Sequence, residues 1–227
     1  MNGIPPQMAE AVQSFAVWVI PLILAITLHE AAHGFAALRF GDDTALRQGR
    51  VSANPLHHVD PFGTILLPAM LLLSGAHFLF GWAKPVPVSF GRLKPLRLGM
   101  VMVALAGPGT NILLAVISAL LAHLTPYVPA FGQTWVAANL ANSVMINLVL
   151  AVFNMIPLPP LDGGRVLVAI LPRPWGYKLA QVERYTFFIL LGAIFILPML
   201  HIDLFDIIVG IPVNMLAWLI DLVIGLP

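Results

Sequence analysis

The sequence predicts an all-α polytopic membrane protein with about five transmembrane helices and one further hydrophobic segment that is re-entrant or interfacial. Of its 227 residues, 59% are hydrophobic and only 9% are charged, and the mean hydropathy is +0.94. A soluble domain has about a quarter of its residues charged, and a folded soluble chain of this size still needs a polar exterior. Apolar runs near the bilayer-crossing length of about 20 residues recur along the chain. These observations exclude a soluble domain.

Five apolar runs account for the predicted spans. They cover about residues 11–40, 98–124, 135–156, 185–200 and 204–224. The first is not expected to be a removable signal peptide, because no basic residue precedes it and it carries polar residues. We see no internal repeat and no appended soluble domain, so we expect a single membrane-embedded domain over residues 1–227.

A shorter apolar run at residues 62–80 is bounded by Pro61 and interrupted by Pro68. If it enters and leaves the bilayer on one side, all 11 basic residues fall on one face, which the positive-inside rule makes cytoplasmic. If it spans once instead, the basic residues of 84–97 move to the face opposite those of 39–50. The charge pattern favours the first interpretation, with the N-terminus outside, and the second stays open.

Composition also limits the chemistry and the partners. The net charge is +1 and no dense basic stretch is present, so a nucleic-acid partner is not expected, whereas the lipid bilayer is. The chain has no cysteine, which excludes a disulfide framework, a thiolate metal site and a thiol nucleophile. Any metal must therefore be held by nitrogen and oxygen ligands.

The first apolar run contains the sequence His29-Glu30-Ala31-Ala32-His33. Positions i and i+4 share a helix face, so both imidazoles can reach one ion, while Glu30 can place a carboxylate beside a metal-activated water without binding the metal. The alternative is a polar cluster that joins helices. Ionisable groups inside a bilayer are costly and usually functional, which favours the metal site.

A hydrolytic zinc site needs a third protein ligand and keeps its fourth position open. Asp162 follows the third predicted span in a stretch broken by Pro157, Pro159 and Pro160, with Gly163 directly after it. Broken backbone at membrane depth is tolerated only where it is buried in protein or lines a polar cavity, and a carboxylate presented there suits a metal. A helix N-cap role for Asp162 explains the residue equally well.

Together these motifs resemble the site-2 proteases, which are intramembrane zinc metalloproteases. The matching sequences are His29-Glu30-x-x-His33, Asn154-x-x-Pro157-x-x-x-Leu161-Asp162-Gly163, Ala106-Gly107-Pro108-Gly109-Thr110-Asn111, Asn54-Pro55-Leu56-His57-His58-Val59-Asp60-Pro61-Phe62-Gly63 and Gly81-Trp82-Ala83-Lys84-Pro85-Val86-Pro87-Val88. The resemblance covers about residues 28–171 and is closest to the compact branch without PDZ or CBS domains. It implies a three-helix catalytic core, within a catalytic region of about 11–171, and accessory helices at about 185–224.

The resemblance further implies that His29, His33 and Asp162 bind one Zn²⁺ per chain and that Glu30 is the catalytic base. The expected activity is cleavage of transmembrane or membrane-proximal peptide bonds by a zinc-activated water, in a bacterial cell membrane, with the active site toward the cytoplasmic face. The alternative is a non-proteolytic zinc-binding membrane protein, either a transporter or an inactive scaffold. No position of the catalytic motifs is missing, which favours the protease.

Weaker assignments concern substrate and packing. Asn154 is a candidate for binding substrate, and helix association through its amide is the competing account. Lys84, Pro85 and Val86 lie in a proline-bearing extended stretch that is expected either to pair with an extended substrate or to be an interfacial loop. Gly107 and Gly109 are expected to permit close helix packing. His57 and His58 are expected to be ordinary loop histidines, with an accessory metal site as the alternative.

Overall fold

The computed structural model describes residues 6–66, 70 and 84–225, and every regular element in those ranges is helical. The α-helices, in chain order, are α1 (Pro6–Arg39), α2 (Thr44–Arg47), α3 (Leu96–Ala122), α4 (Ala130–Asn154), α5 (Asp162–Ile170), α6 (Arg173–Ala180), α7 (Glu183–Leu191), α8 (Leu197–Met199) and α9 (Ile211–Ile224). Short 3₁₀ and π turns lie between several of them, at Pro55–His57, Pro61–Leu66, Phe90–Arg92, Thr125–Tyr127, Gly192–Ile196 and Asp206–Gly210. The predicted all-α polytopic class is confirmed.

Within the described residues, four helical segments are long and apolar enough to cross a bilayer, whereas the sequence predicts about five spans. They are Phe15–Arg39, Leu96–Ala122, Ala130–Asn154 and Asp206–Ile224. The expected span at residues 185–200 is helical, but its α, π and α parts have only nine, five and three residues. At 1.5 Å per residue this is about 25 Å, which is shorter than a hydrocarbon core of about 30 Å.

The expected three-helix core is formed by α1, α3 and α4, which contact one another pairwise. Small side chains line these contacts, among them Ala25, Ala37 and Ala115, none of which is exposed. Small residues let helix backbones approach closely where lipid supplies no hydrophobic driving force. Two amides tie the helices further, because Asn111 Nδ2 donates to Ala25 O and Asn142 Nδ2 donates to Val17 O.

The last helix, α9, packs against α3 and α4. This contact forms an apolar cluster of buried residues from all three helices and from the π turn before α9. Its members are Ala115, Ala119, Val144, Leu148, Val209 and Val213. Helix α9 therefore supports the core but contributes none of the motif residues.

The predicted hydrophobic segment at residues 62–80 falls largely outside the described residues. Its described beginning is the π turn Pro61–Leu66. The backbone N–H of Lys84 donates to His58 O at 2.9 Å, so the chain leaves and returns at one place. Lys94 N–H likewise donates to Phe40 O at the end of α1. The basic residues of 39–50 and of 84–97 therefore lie at the same end of the molecule.

Candidate metal centre

The two motif histidines face each other from adjacent turns of α1. Their Nε2 atoms are 3.0 Å apart, and the rings meet edge to face at 84°. His29 and His33 are only 6% and 7% exposed. The i, i+4 spacing therefore brings both imidazoles to one point inside the helix core, as the sequence predicts.

Asp162 completes the cluster from the chain that follows α4. Its Oδ2 atom lies 3.3 Å from His29 Nε2 and 3.3 Å from His33 Nε2. The N-cap alternative is wrong: the cap residue of α5 is Leu161, and Asp162 is the first residue of the helix. Among the described residues, the buried Oδ2 has no hydrogen-bond partner.

The glycines after Asp162 allow the backbone to fold back tightly enough to present it. A Cβ on Gly163 would collide with the carbonyl oxygen of Met155, and one on Gly164 would collide with the backbone nitrogen of Pro159. The proline-rich turn thus packs directly on the first turn of α5. This close approach confirms the prediction that the glycines let the backbone come near.

Hydrogen bonds on the far side of each imidazole fix its tautomer. His33 Nδ1 lies 2.7 Å from Val103 O, which can only accept, so Nδ1 carries the proton. His29 Nδ1 lies 2.5 Å from Asn111 Oδ1. Asn111 presents its oxygen to His29 because its Nδ2 donates to Ala25 O and to Asn147 Oδ1. Both neutral rings therefore direct an Nε2 lone pair into the cluster.

Three electron-pair donors thus converge with no proton between them, which is the requirement for a bound cation. Zinc takes nitrogen and oxygen ligands at about 2.0–2.2 Å in tetrahedral geometry, which sets ligand atoms about 3.3 Å apart. The separations of 3.0, 3.3 and 3.3 Å match this spacing. In the described part of the chain, His29, His33 and Asp162 are the group that could hold a metal ion. The donor set therefore fits zinc.

Gly107, on α3, leaves room for the cluster because it has no side chain. A Cβ at this position would lie 2.5 Å from His33 Nε2 and 2.6 Å from His29 Nε2. The expected close approach is confirmed, and the atoms approached are the candidate ligands. Gly109 differs: nothing described lies within 4 Å of a Cβ there, and it borders an apolar groove of about 600 Å³ between α3, α4 and α9. The packing role expected for Gly109 is wrong.

Glu30 follows His29 directly on α1, and its carboxylate contacts the chain that follows the hydrophobic segment. Its Oε2 accepts a 2.7 Å hydrogen bond from the backbone N–H of Val86. The residue is half-buried. Glu30 is therefore next to the cluster without being part of it, as the sequence motif predicts.

The candidate substrate-binding residues are paired elsewhere and are not part of the metal-compatible cluster. Asn154 Nδ2 donates to Leu150 O in its own helix. Lys84 N–H donates to His58 O, and the carbonyl oxygens of Lys84 and Pro85 accept from Arg50. Many backbone groups of residues 84–86 are thus already paired within the chain, and their role in substrate binding stays a prediction.

His57 and His58 hydrogen-bond to backbone carbonyls rather than to each other. His57 Nδ1 lies 2.8 Å from Gly49 O, and His58 Nε2 lies 2.8 Å from Ser52 O. Neither belongs to the metal-compatible group of the described residues. This geometry supports the interpretation as ordinary loop histidines.

The residues that sequence reasoning missed are Asn111 and Asn147 as supports of His29. The sequence analysis places Asn111 only within a motif and gives neither residue a role at the histidines. Both are almost fully buried, at 0% and 1% exposure. A carboxamide in an apolar span is the signal that could have identified them, because it must find a partner.

Comparison with known proteins adds family information. The model of peptidase family M50 matches residues 130–198. The chain is 42% identical over 188 residues to YwhC of Bacillus subtilis, named as a candidate zinc metalloprotease, covering 80% of each chain. It is 28% identical over 196 residues to Rip2 of Mycolicibacterium smegmatis, which carries the same designation, covering 86% of this chain and 72% of the relative. No solved structure matches.

Proposed function

Because the chain belongs to peptidase family M50, the site-2 protease family, we propose that it is an intramembrane zinc endopeptidase that cleaves transmembrane or membrane-proximal segments of other proteins. Family membership identifies a zinc metalloprotease, and cleavage within the bilayer is the further step proposed here. The observation that carries the proposal is the convergence of His29 Nε2, His33 Nε2 and Asp162 Oδ2 next to Glu30. These groups lie on, or pack against, a helix apolar enough to span a membrane.

His29, His33 and Asp162 would hold one Zn²⁺ per chain. When bound, Zn²⁺ lowers the pKa of its water to about 7 and polarises the carbonyl that is attacked. Asp162 supplies a negative charge that neutral imidazoles cannot, which matters because an unbalanced dication is costly away from water. Asn111 and Val103 O keep both Nε2 lone pairs directed inward.

Glu30 would act as the general base and then as the general acid. Val86 N–H holds Oε2, which leaves Oε1 to take a proton from the attacking water. A bond forms between the water oxygen and the scissile carbonyl carbon, the C–N bond breaks, and Glu30 returns the proton to the leaving nitrogen. The products are a new carboxylic acid and a new amine, which at neutral pH become a carboxylate and an ammonium when the acid's proton passes to the amine.

We further propose the orientation expected from the charge pattern, with the N-terminus outside and the site toward the cytoplasmic face of a bacterial cell membrane. Supporting this, residues on both sides of the hydrophobic segment meet at one end, through Lys84 and His58. Arg165 also lies at that end, with its guanidinium 5.2 Å from the Phe90 ring centroid. His33 is about 9 Å along α1 from Arg39, so water needs only a shallow path.

Substrates would be peptide segments that can unwind locally, because an intact helix shields its own carbonyls. Asn154 and residues 84–86 stay candidates for binding such a segment. For residues 84–86, side chains and the unpaired backbone groups would have to provide the contacts. The proposed domain is the single unit 1–227, with the catalytic region at about 11–171 and accessory helices at about 185–224.

Purified wild type and Glu30→Gln, together with the matched control Glu183→Gln at an exposed position of α7, test the proposal. Zinc content and cleavage of a transmembrane reporter are measured in lipid vesicles. We expect about one zinc per chain in all three and loss of cleavage only in Glu30→Gln. Zinc retention without cleavage by wild type would instead identify a non-proteolytic zinc-binding protein, and equal cleavage by wild type and Glu30→Gln would contradict the proposal that Glu30 is the base.

A further inference from the structure

Arg50 is a buried cation in the loop between α2 and the hydrophobic segment, and its guanidinium joins three backbone carbonyls. Its side chain donates to His57 O and Lys84 O, and to Pro85 O at 3.3 Å. The residue is only 7% exposed. Arginine is almost never fully buried unless it is paired, yet no carboxylate of the described residues forms an ion pair with Arg50. Its partners are instead backbone carbonyls on the two stretches of chain that flank the hydrophobic segment.

The segment held by Arg50 leads directly to Glu30. One residue beyond Pro85, Val86 N–H donates to Glu30 Oε2 at 2.7 Å. Val86 is 7% exposed, and its side chain packs beside Gly34, where an added Cβ would lie 3.3 Å from Val86 Cγ1. Prolines on both sides restrict the backbone around Val86. A displacement at the Lys84 and Pro85 carbonyls is therefore transmitted to the Val86 N–H.

We infer that Arg50 is a positioning residue for the catalytic base. By bridging His57 O to Lys84 O and Pro85 O, it fixes residues 84–86 so that Val86 N–H holds one oxygen of Glu30 and leaves the other for water. This inference rests on the proposed function, because it assigns Arg50 to the same reaction. A misplacement of about 1 Å in a reacting group can cost on the order of 10²-fold in rate.

The bridge requires a guanidinium rather than a positive charge alone. Arginine offers five N–H donors in a rigid planar fork, whereas lysine offers one compact ammonium group. A lysine at position 50 keeps the charge but cannot span carbonyls on two separate chain segments. Arg50→Lys therefore separates bridging from electrostatics.

The kinetic test compares Arg50→Lys with the matched control Arg47→Lys in vesicles containing a transmembrane reporter. Arg47 is an exposed residue that pairs with Asp43. We expect Arg50→Lys to lower kcat at least tenfold, with KM within twofold of wild type and zinc content unchanged. Arg47→Lys should match wild type. A wild-type kcat in Arg50→Lys overturns the inference, as does a loss confined to KM or accompanied by loss of zinc.

Amide exchange tests the linkage without activity or metal. Pro85 and Pro87 have no N–H, so the exchanging amides of residues 84–88 belong to Lys84, Val86 and Val88. In zinc-free protein we expect the ¹⁵N-labelled Val86 amide to exchange at least fivefold faster in Arg50→Lys than in wild type, and at the wild-type rate in Arg47→Lys. Unchanged protection of Val86 in Arg50→Lys contradicts the inference.

A double-mutant cycle with Val86→Pro tests whether Arg50 acts through this N–H, since the substitution removes the donor. If it does, the two losses are non-additive, and Arg50→Lys lowers kcat less than twofold in the Val86→Pro background. Full additivity would show that Arg50 does not act through the Val86 N–H. If Arg50→Lys does not fold, Val86→Pro alone must lower kcat without changing KM. Failure of the proposed function is distinct, because Glu30→Gln would then process the reporter like wild type.

Discussion

At the scale of single residues, the candidate metal centre depends on groups that hydrogen-bond to the candidate ligands without being ligands themselves. His29 Nδ1 donates a hydrogen bond to Asn111 Oδ1, and His33 Nδ1 donates one to Val103 O. These contacts set the tautomer and the direction of the second nitrogen. Outer partners of this kind orient metal ligands and raise their basicity.

Asn111→Ala should therefore weaken zinc binding by about 10–100-fold, because His29 loses the acceptor that fixes its tautomer. The measurement is zinc affinity by competition with a chelator. Asn139→Ala serves as the control, since that amide donates to Trp135 O within its own helix and should leave the affinity unchanged. Equal affinities for wild type and Asn111→Ala would show that His29 needs no support from α3.

Gly107→Ala and Gly109→Ala form a matched pair on α3. A methyl group at position 107 would lie 2.5–2.6 Å from the two Nε2 atoms, whereas one at position 109 meets no described atom within 4 Å. We expect Gly107→Ala to lose zinc at least tenfold more readily than wild type. Gly109→Ala should bind zinc as wild type does. Zinc content after dialysis against a chelator measures both, and similar retention by the two variants would contradict the expectation.

At the scale of elements, the third candidate ligand is placed by the way α4 ends and α5 begins. The proline-rich turn returns the chain so that Met155 O packs against Gly163, and Asp162 becomes the first residue of α5. A short helix with a crowded first turn therefore fixes a carboxylate against α1.

Gly163→Ala should move Asp162 away from the histidines, since the new methyl group would collide with Met155 O. We expect loss of zinc and a lower melting temperature, whereas Gly132→Ala, with 3.6 Å to the nearest described atom, should change neither. Zinc content and thermal unfolding in detergent measure the two effects. Wild-type zinc content in Gly163→Ala would show that α5 can shift without moving its carboxylate.

The end of α1 is held to the loop before α3 by Asp42, which accepts from the N–H groups of Thr44 and Ser89. Burial raises the pKa of Asp42, but the Thr44 hydroxyl, these N–H groups and Arg92 outweigh it, so that the pKa lies below its usual value. A lowered folded-state pKa gives stability that is present above the unfolded value of about 3.9 and lost as pH falls through the folded value.

Asp42→Asn should cost about 1–3 kcal/mol of unfolding free energy near neutral pH, because an amide cannot accept all three bonds. The difference from wild type should shrink as pH falls below the unfolded pKa of about 3.9. Melting temperatures of both proteins between neutral pH and pH 3 measure this. Asp43→Asn, at a more exposed ion pair, is the control, and a pH-independent difference for Asp42→Asn would contradict the assignment.

At the scale of the whole molecule, the sorting of charges predicts the orientation. The connection between α3 and α4 contains no lysine or arginine, and Tyr127 there is 85% exposed. Residues 39–50 and 84–97 gather their cations at the other end, where Arg92 pairs with Asp43. The positive-inside rule assigns that basic end to the cytoplasm.

The natural absence of cysteine makes the orientation directly measurable. With Arg92→Cys and Tyr127→Cys in intact cells, we expect an impermeant thiol reagent to label only the latter. Permeabilisation should expose Cys at both positions. Labelling of Arg92→Cys before permeabilisation would reverse or rearrange the proposed topology.

Features that depend on composition or periodicity within one helix could be predicted from the sequence. The spans at 98–124 and 135–156 follow from composition, and the convergence of His29 and His33 follows from helical periodicity. The predicted segment at 185–200 is helical from Glu183 to Met199 with a π interruption, a length and an irregularity that hydropathy does not reveal.

By itself, the sequence determined the membrane class and the motif residues, since each depends on composition or on spacing within one segment. Only the tertiary structure decided whether Asp162 caps a helix or meets the histidines, and which groups support His29 and Glu30. Those contacts join Asn111 to His29 and Val86 to Glu30 across sequence separations of 82 and 56. Such contacts depend on how helices pack, because a buried polar atom takes whichever partner the packing brings near it.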